Sequence, residues 1–131
     1  LKALACSLGV GDRVRFCGRM QYDQLPTLYR AADIVLLAPI WPEPLGRACL
    51  EAMSLGTPVL ATKVGGLASV VERFGFGVEA GNVIEMERRA LEVLRNPLEE
   101  SKLRRYVVDN YSVDRVSERF LRSLEDAGKW L

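Results

Sequence analysis

Two short runs of the chain are almost entirely apolar, and they constrain the fold more than any other feature. Residues 34–37 are Ile-Val-Leu-Leu, and residues 58–62 are Pro-Val-Leu-Ala-Thr, followed shortly by the pair Gly65-Gly66. A strand with one face in water alternates apolar and polar side chains, whereas a strand covered by helices on both faces is apolar throughout. The two runs therefore predict buried strands of a parallel sheet.

Two further strand-length runs, 14–17 and 77–80, extend this pattern, and Gly18 stops the first of them. Helical patterns are predicted between and after the strands, at residues 2–8, 23–32, 47–55, 82–94, 99–110 and 112–127. Strand–helix alternation is the order of a doubly wound, Rossmann-like α/β fold with a parallel sheet. We expect one domain over residues 1–131, with a helical tail at 98–131. Because no strand precedes the first helix, we expect the sheet to be truncated on its N-terminal side.

The last predicted helix carries one apolar stripe. Ser112 is a suitable N-cap, and the stripe consists of Val113, Val116, Phe120, Leu121 and Leu124. We expect these side chains to be buried. Together with Trp130, the helix is also predicted to face a missing domain, which would leave an apolar patch able to form a homodimer.

Composition excludes several classes of function. The chain has 131 residues, no histidine and a net charge of +1, so it offers no imidazole chemistry and no electrostatic case for nucleic acid. Its three cysteines lack CxxC spacing, which favours reduced thiols in a cytoplasmic protein over metal or disulfide sites. A folded chain of this mass should expose about 7,000 Å². The chain begins with Leu1 rather than Met, and we interpret it as a fragment.

Ligands of open parallel sheets bind at the carboxyl ends of the strands. Three loops are predicted there, Gly18-Arg19-Met20, residues 38–46 and residues 63–67. The second holds three prolines and ends at Gly46, just before a helix. Free backbone N–H groups at that helix N-terminus are suited to a phosphate or another anionic oxygen.

Two carboxylates flank this helix N-terminus. Glu51 shares one helix face with Arg47, and such a carboxylate can accept hydrogen bonds from the vicinal hydroxyls of a ribose. Glu43 lies in the rigid loop and is expected to reach the same cleft. Carboxylates for hydroxyls and helix-end N–H groups for a diphosphate suit a sugar nucleotide. The spacing alone favours a simpler alternative, in which Glu51 forms a solvated pair with Arg47 and Glu43 is an ordinary charged loop residue.

Glu43 and Glu51 enclose seven residues, and segment 43–53 closely resembles the EX7E signature of retaining glycosyltransferases of family 4 (group 1). The resemblance continues in register through residues 14–18, 28–33, 56–59, Thr62 and the pair Gly65-Gly66, so that it covers about residues 8–81. It implies a GT-B fold, in which this chain forms most of the C-terminal, donor-binding domain.

The resemblance also implies an activity, which is transfer of a hexose from a nucleotide sugar, linked to UDP, GDP or ADP, to an unknown acceptor with retention of configuration. Such enzymes generally need no metal cofactor. The acceptor domain is missing, in cis or in trans, so we expect the chain to be inactive alone. A cytoplasmic location follows, with peripheral association at the inner face of the cell membrane as a further expectation.

Roles for individual residues follow from the same resemblance. Glu51 would bind the ribose, and Glu43, as the catalytic residue, would contact donor-sugar hydroxyls near the reacting carbon. The backbone N–H groups of Leu45 and Gly46 would hold the diphosphate or the sugar. The remaining expected substrate contacts are Gly18, Arg19 and Met20 beside the base, and Thr62, Gly65 and Gly66. For the glycine pair, a purely structural tight turn is an equal alternative.

Three other functions remain open from the sequence. The chain is also compatible with a stand-alone binding subunit of a split glycosyltransferase, and with a sugar-nucleotide epimerase on the same fold. A third alternative is a non-catalytic interaction module of the response-regulator type. That module needs an acidic pair and a phosphoacceptor aspartate at strand ends where this chain has Gly18-Arg19 and Lys63-Val64.

Overall fold

The computed structural model describes residues 1–128. Seven α-helices and three β-strands follow one another in this part of the chain. In chain order they are α1 (Lys2–Ser7), α2 (Leu25–Ala31), β1 (Val35–Leu37), α3 (Arg47–Ser54), β2 (Val59–Thr62), α4 (Leu67–Glu72), β3 (Gly77–Val78), α5 (Val83–Arg95), α6 (Glu100–Tyr111) and α7 (Val113–Gly128). Short 3₁₀ turns, Gly11–Arg13 and Tyr22–Gln24, precede α2.

The three strands form one parallel sheet in the order β1-β2-β3. Val35 pairs with Val59 across the first ladder, and Ala61 pairs with Gly77 across the second. All residues of β2 are buried, as expected for a central strand covered on both faces. The predicted Rossmann-like α/β class with a parallel sheet is therefore confirmed.

The run 14–17 is not a strand, which corrects the sequence prediction. Val14 and Phe16 are 40% and 41% exposed, and no strand among residues 1–128 pairs with this segment. An extended segment becomes a strand only when a neighbour accepts and donates its backbone hydrogen bonds. The prediction of a strand here is wrong because apolar composition alone does not supply such a neighbour.

The core lies between the sheet and helices α3, α4 and α5, which all contact β2. Met53, Leu60 and Val70 are fully buried there. Helix α6 packs against the far side of α3 through Leu103, which is also fully buried. Helix α4 was not predicted, although Leu67, Val70 and Val71 give it an i, i+3, i+4 apolar stripe. Six residues are too few for that periodicity to stand out.

The expected burial of the last helix is wrong. Helix α7 has no buried residue, and its main contact in the described chain is with α6. The stripe side chains are between 48% and 81% exposed, namely Val113, Val116, Phe120, Leu121 and Leu124. We call these five residues the α7 apolar face. Trp130, which was predicted to extend it, lies outside the described residues.

None of the helices described in residues 1–128 has the length and apolar character needed to cross a bilayer.

Candidate functional site

The loop from β1 to α3, residues 38–46, lies at the carboxyl end of the sheet and is held by its neighbours. The hydroxyl of Thr62, at the end of β2, donates a 2.6 Å hydrogen bond to the carbonyl of Pro39. The Gly65-Gly66 pair packs directly on the loop backbone. A Cβ on Gly66 would lie 1.9 Å from the Pro44 carbonyl oxygen. Thr62 and the glycine pair therefore hold the loop in place through these contacts.

The side chain of Glu43 bonds to Gly46, the N-cap residue of α3. Its Oε1 accepts a hydrogen bond of 3.2 Å from the backbone N–H of Gly46, the residue that precedes the helix. Gly46 has a φ of 69°, in the left-handed region that favours glycine. A carboxylate at this position faces the positive end of the helix dipole. The Gly46 N–H, predicted to be free for a ligand anion, is thus occupied by the side chain of Glu43.

A cavity of about 490 Å³ opens beside this cap. Leu37 and Ala38 at the end of β1 form one wall, and Trp41, Glu43 and Arg47 contribute side chains from the loop and helix. Its other lining residues are mainly apolar. A mostly apolar cleft with a few polar groups at one end is typical of small-molecule sites.

Glu51 lies one turn further along α3 in a separate cluster. Its Oε1 accepts a hydrogen bond from the Tyr22 hydroxyl and another from Nε of Arg47, both at 3.0 Å. The Arg47 guanidinium also lies over the Tyr22 ring, 5.6 Å from its centre. The sequence analysis did predict the Arg47 pair but missed Tyr22. The available signal was an aromatic residue two positions after the Gly18-Arg19-Met20 loop.

A small cavity of about 170 Å³ borders Glu51, and Tyr22 and Tyr29 form part of its walls. Burial raises the pKa of the Tyr29 hydroxyl, and the nearby negative charge of Glu51 raises it further. Tyr29 therefore brings a further hydroxyl group close to the Glu51 carboxylate.

The structure does not place Glu43 and Glu51 in one cavity. Arg47 lies between them, since it lines the 490 Å³ cavity and also a wider depression of about 580 Å³ that includes Glu51. Leu45 borders that same depression. The predicted base contacts Gly18, Arg19 and Met20 line neither cavity, and the first two are exposed.

Lys63 is the basic residue that follows β2, and it is already paired. Its ammonium group contacts the carboxylate of Glu79 and lies 4.0 Å from that of Glu72. The hydrogen bond with Glu79 is the main cause of the raised pKa of Lys63. A ligand phosphate at this strand end would have to compete with two carboxylates.

Within residues 1–128, no group of three or more histidine, cysteine, aspartate or glutamate side chains is arranged to hold a metal ion. Another cavity, of about 420 Å³, lies at the opposite end of β2, where Thr57 and Pro58 lead into the strand. Arg104 contributes to it but is bonded to the Leu55 carbonyl and to Glu100.

Comparison with known proteins defines the class. The profile of the family "Glycosyl transferases group 1" matches residues 1–112, and the chain belongs to this family. It is 53% identical to a D-inositol 3-phosphate glycosyltransferase of Salinispora arenicola over 68 residues. These residues are 52% of this chain and 15% of that relative. It is 45% identical over 67 residues to mannosylfructose-phosphate synthase of Agrobacterium fabrum, which is 51% of this chain and 14% of that protein.

Solved structures agree. Anabaena Alr3699/HepE in complex with UDP matches with a TM-score of 0.82 and 28% identity, over 95% of this chain and 35% of that chain. The complex of the same protein with UDP-glucose gives a TM-score of 0.80 and 27% identity over the same shares. The fold is thus that of part of a GT-B glycosyltransferase. The chain spans only about a third of these structures and a smaller share of the curated relatives.

Proposed function

We propose that this chain is the donor-binding domain of a retaining glycosyltransferase of family 4, and that it binds a nucleotide sugar at the carboxyl end of the sheet. The observation that carries the proposal is the loop–helix unit of residues 43–51. It places one carboxylate at the N-terminus of α3 and a second one turn inside the helix, each beside its own cavity. Family membership and the UDP complexes of Alr3699/HepE support the ligand class.

The two carboxylates have different roles in this proposal. Glu51 accepts hydrogen bonds from the ribose hydroxyls, while Glu43 contacts hydroxyls of the donor sugar beside the reacting carbon. The backbone N–H groups of Leu45 and Gly46 hold the diphosphate or the sugar at the positive end of α3. Because Glu43 already accepts from Gly46, ligand binding exchanges this internal hydrogen bond for one to the ligand.

The remaining predicted contacts surround this centre. Gly18, Arg19 and Met20 border the base, and Thr62, Gly65 and Gly66 hold the loop against the ligand. Helix-end amides, rather than a metal ion, offset the diphosphate charge as the bond between the sugar and the phosphate oxygen breaks. A new bond to the acceptor oxygen then forms on the same face of the hexose, the proton of the acceptor hydroxyl passes to the departing phosphate oxygen, and the nucleoside diphosphate leaves. We assign the EX7E signature to Glu43 and Glu51.

Three further expectations belong to the proposal. An acceptor domain, in cis or in trans, completes the active site, so the chain alone does not catalyse transfer. The protein works in the cytoplasm, including at the inner face of the cell membrane. By itself the chain forms a homodimer through the α7 apolar face, since its surface of 9,691 Å² exceeds by more than a third the value of about 7,000 Å² expected for its mass.

Thermal unfolding with UDP, GDP, ADP and their sugar conjugates tests the proposal. A ligand at about ten times its Kd adds about 1.4 kcal/mol to the free energy of unfolding, which raises Tm by about 4–6 °C in a domain of this size. One nucleotide should give this rise, and Glu51→Ala should abolish it. Glu87 is an exposed carboxylate on α5, and Glu87→Ala is the matched control. A rise that survives Glu51→Ala, or no rise with any nucleotide, would contradict the proposal.

A further inference from the structure

We propose that Tyr22 is a positioning residue of the nucleotide site and that, together with Arg47, it orients the Glu51 carboxylate toward the ribose hydroxyls. This inference rests on the proposed function. It assigns a role to a side chain outside the segment of residues 43–51. Tyr22 lies on a different element and is 29 positions from Glu51 in the sequence.

The hydrogen-bond geometry fixes one end of the carboxylate. Tyr22 and Arg47 both donate to the same oxygen, Oε1 of Glu51, at equal distances of 3.0 Å. An ionised carboxylate offers about four acceptor sites on its two oxygens. Two donors at one oxygen restrict rotation of the group and leave acceptor sites for a diol that approaches from the cavity.

The three side chains form a closed triangle, which distinguishes this cluster from an ordinary helix ion pair. Arg47 and Glu51 are four residues apart on α3, and an exposed pair of that kind seldom holds one geometry. Here the Tyr22 ring also stacks on the Arg47 guanidinium, 5.6 Å from its centre. The Glu51 side chain is only 23% exposed, whereas that of Arg47 is 77% exposed. The arrangement therefore fixes the more buried partner, which is the proposed ribose ligand.

The position of Tyr22 in the chain gives it a second link to the nucleotide. It begins the 3₁₀ turn Tyr22–Gln24, and only Gln21 separates it from the loop Gly18-Arg19-Met20 that is proposed to border the base. It also lines the 170 Å³ cavity that Glu51 borders. Tyr22 consequently connects the proposed base loop to the proposed ribose carboxylate, and a loss of its hydroxyl should be felt at the ribose.

The test is calorimetric titration of the 131-residue chain with whichever of UDP, GDP and ADP binds best, and with its 2′-deoxy form. Tyr22→Phe keeps the ring and its contact with Arg47 but removes the donor to Glu51. We expect it to weaken binding of the ribonucleotide by about threefold to tenfold, the usual net effect of losing one hydrogen bond. The 2′-deoxy form should lose less, so that the preference for ribose falls.

Two variants make the result specific. Tyr106→Phe removes a tyrosine hydroxyl from α6, away from Glu51, and should leave both affinities unchanged. In a Glu51→Gln background, Tyr22→Phe should add no further loss, because Tyr22 acts through Glu51. If Tyr22→Phe left the ratio of ribonucleotide to 2′-deoxynucleotide affinity unchanged, this inference would be overturned while the proposed function stayed intact. Failure of the wild-type chain to bind any of the three nucleotides would instead overturn the proposed function and this inference with it.

Discussion

The carboxylate of Glu43 accepts a hydrogen bond from the backbone N–H of Gly46, the N-cap residue of α3, at 3.2 Å. The first N–H groups of any helix lack partners within the helix, and the helix dipole attracts negative charge to them. A side chain from the adjoining loop meets both demands here. An anionic group at this point is thus part of the fold itself, and a ligand anion would replace it.

Removal of this hydrogen bond should cost stability. Glu43→Ala is expected to lower the free energy of unfolding by about 1 kcal/mol, the usual net effect of losing one hydrogen bond. Urea denaturation followed by circular dichroism measures the change. Glu43→Gln retains an acceptor oxygen and should recover most of the loss. If Glu43→Ala were as stable as the wild-type chain, the contact between Glu43 and Gly46 would have no energetic role.

The glycine pair gives a second prediction, which concerns the loop rather than the ligand. Gly66 has an ordinary φ of −69°, so a side chain there is excluded only by the Pro44 carbonyl, 1.9 Å from the Cβ position. Gly66→Ala should lower the free energy of unfolding by about 3 kcal/mol, as overpacking against backbone does. Gly11→Ala is the control, since its nearest contact is an ordinary 3.4 Å. Equal stability of the two variants would show that the loop is not held as described.

Cys49 predicts how stability depends on pH. Burial raises the pKa of its thiol from 9.0 to about 12. Below pH 9 the Cys49 thiol keeps its proton in both the folded and the unfolded chain, and its contribution to the free energy of unfolding is complete. Between pH 9 and pH 12 only the unfolded chain loses the proton, so the contribution is lost as the pH rises.

At pH 10.5 this loss should amount to about 2 kcal/mol relative to pH 8. Urea denaturation at the two pH values measures it, and Cys49→Ala should show a drop smaller by that amount. Tyr106, whose pKa burial raises to about 12, contributes equally to both proteins. Cys17→Ala removes an exposed thiol and is the matched control. A pH dependence unchanged by Cys49→Ala would contradict the assignment.

The α7 apolar face predicts self-association of the isolated chain. Sedimentation of the wild-type protein should show a dimer that dissociates on dilution, since association removes the exposed apolar side chains of this face from water. Phe120, which is 63% exposed, lies near the middle of the face, and Phe120→Lys should yield a monomer. Glu125→Lys places the same charge outside the five residues of the face and should leave the dimer intact. A wild-type chain that is monomeric at every concentration would contradict the homodimer.

The strands and helices that sequence reasoning located best are those with local causes. Strands β1 and β2 were predicted from runs that are apolar on both faces, and α3 was predicted to stop at Gly56, which has a φ of 89°. The failures have non-local causes. Residues 14–17 have strand composition but no partner among the described residues, and α7 has an apolar stripe but nothing that covers it.

The candidate site shows the same division. The sequence predicted that Glu43 and Glu51 lie near the N-terminus of one helix, because spacing along a helix is local. It did not predict that Glu43 bonds to Gly46 or that Tyr22 reaches Glu51, because side-chain rotamers and distant contacts decide those bonds. Their roles toward a ligand remain predictions.

Mapping of ligand contacts by amide NMR spectroscopy tests the central claim most directly. The isolated chain is titrated with UDP, GDP and ADP, and the shifted backbone signals are assigned. We predict that one nucleotide shifts the signals of residues 18–20 and 45–46 and those around Glu51, and that Glu51→Gln weakens this binding. Shifts centred instead on Gly56 and Thr57, at the opposite end of the sheet, or no shifts with any nucleotide, would contradict a nucleotide-sugar site at the carboxyl end of these strands.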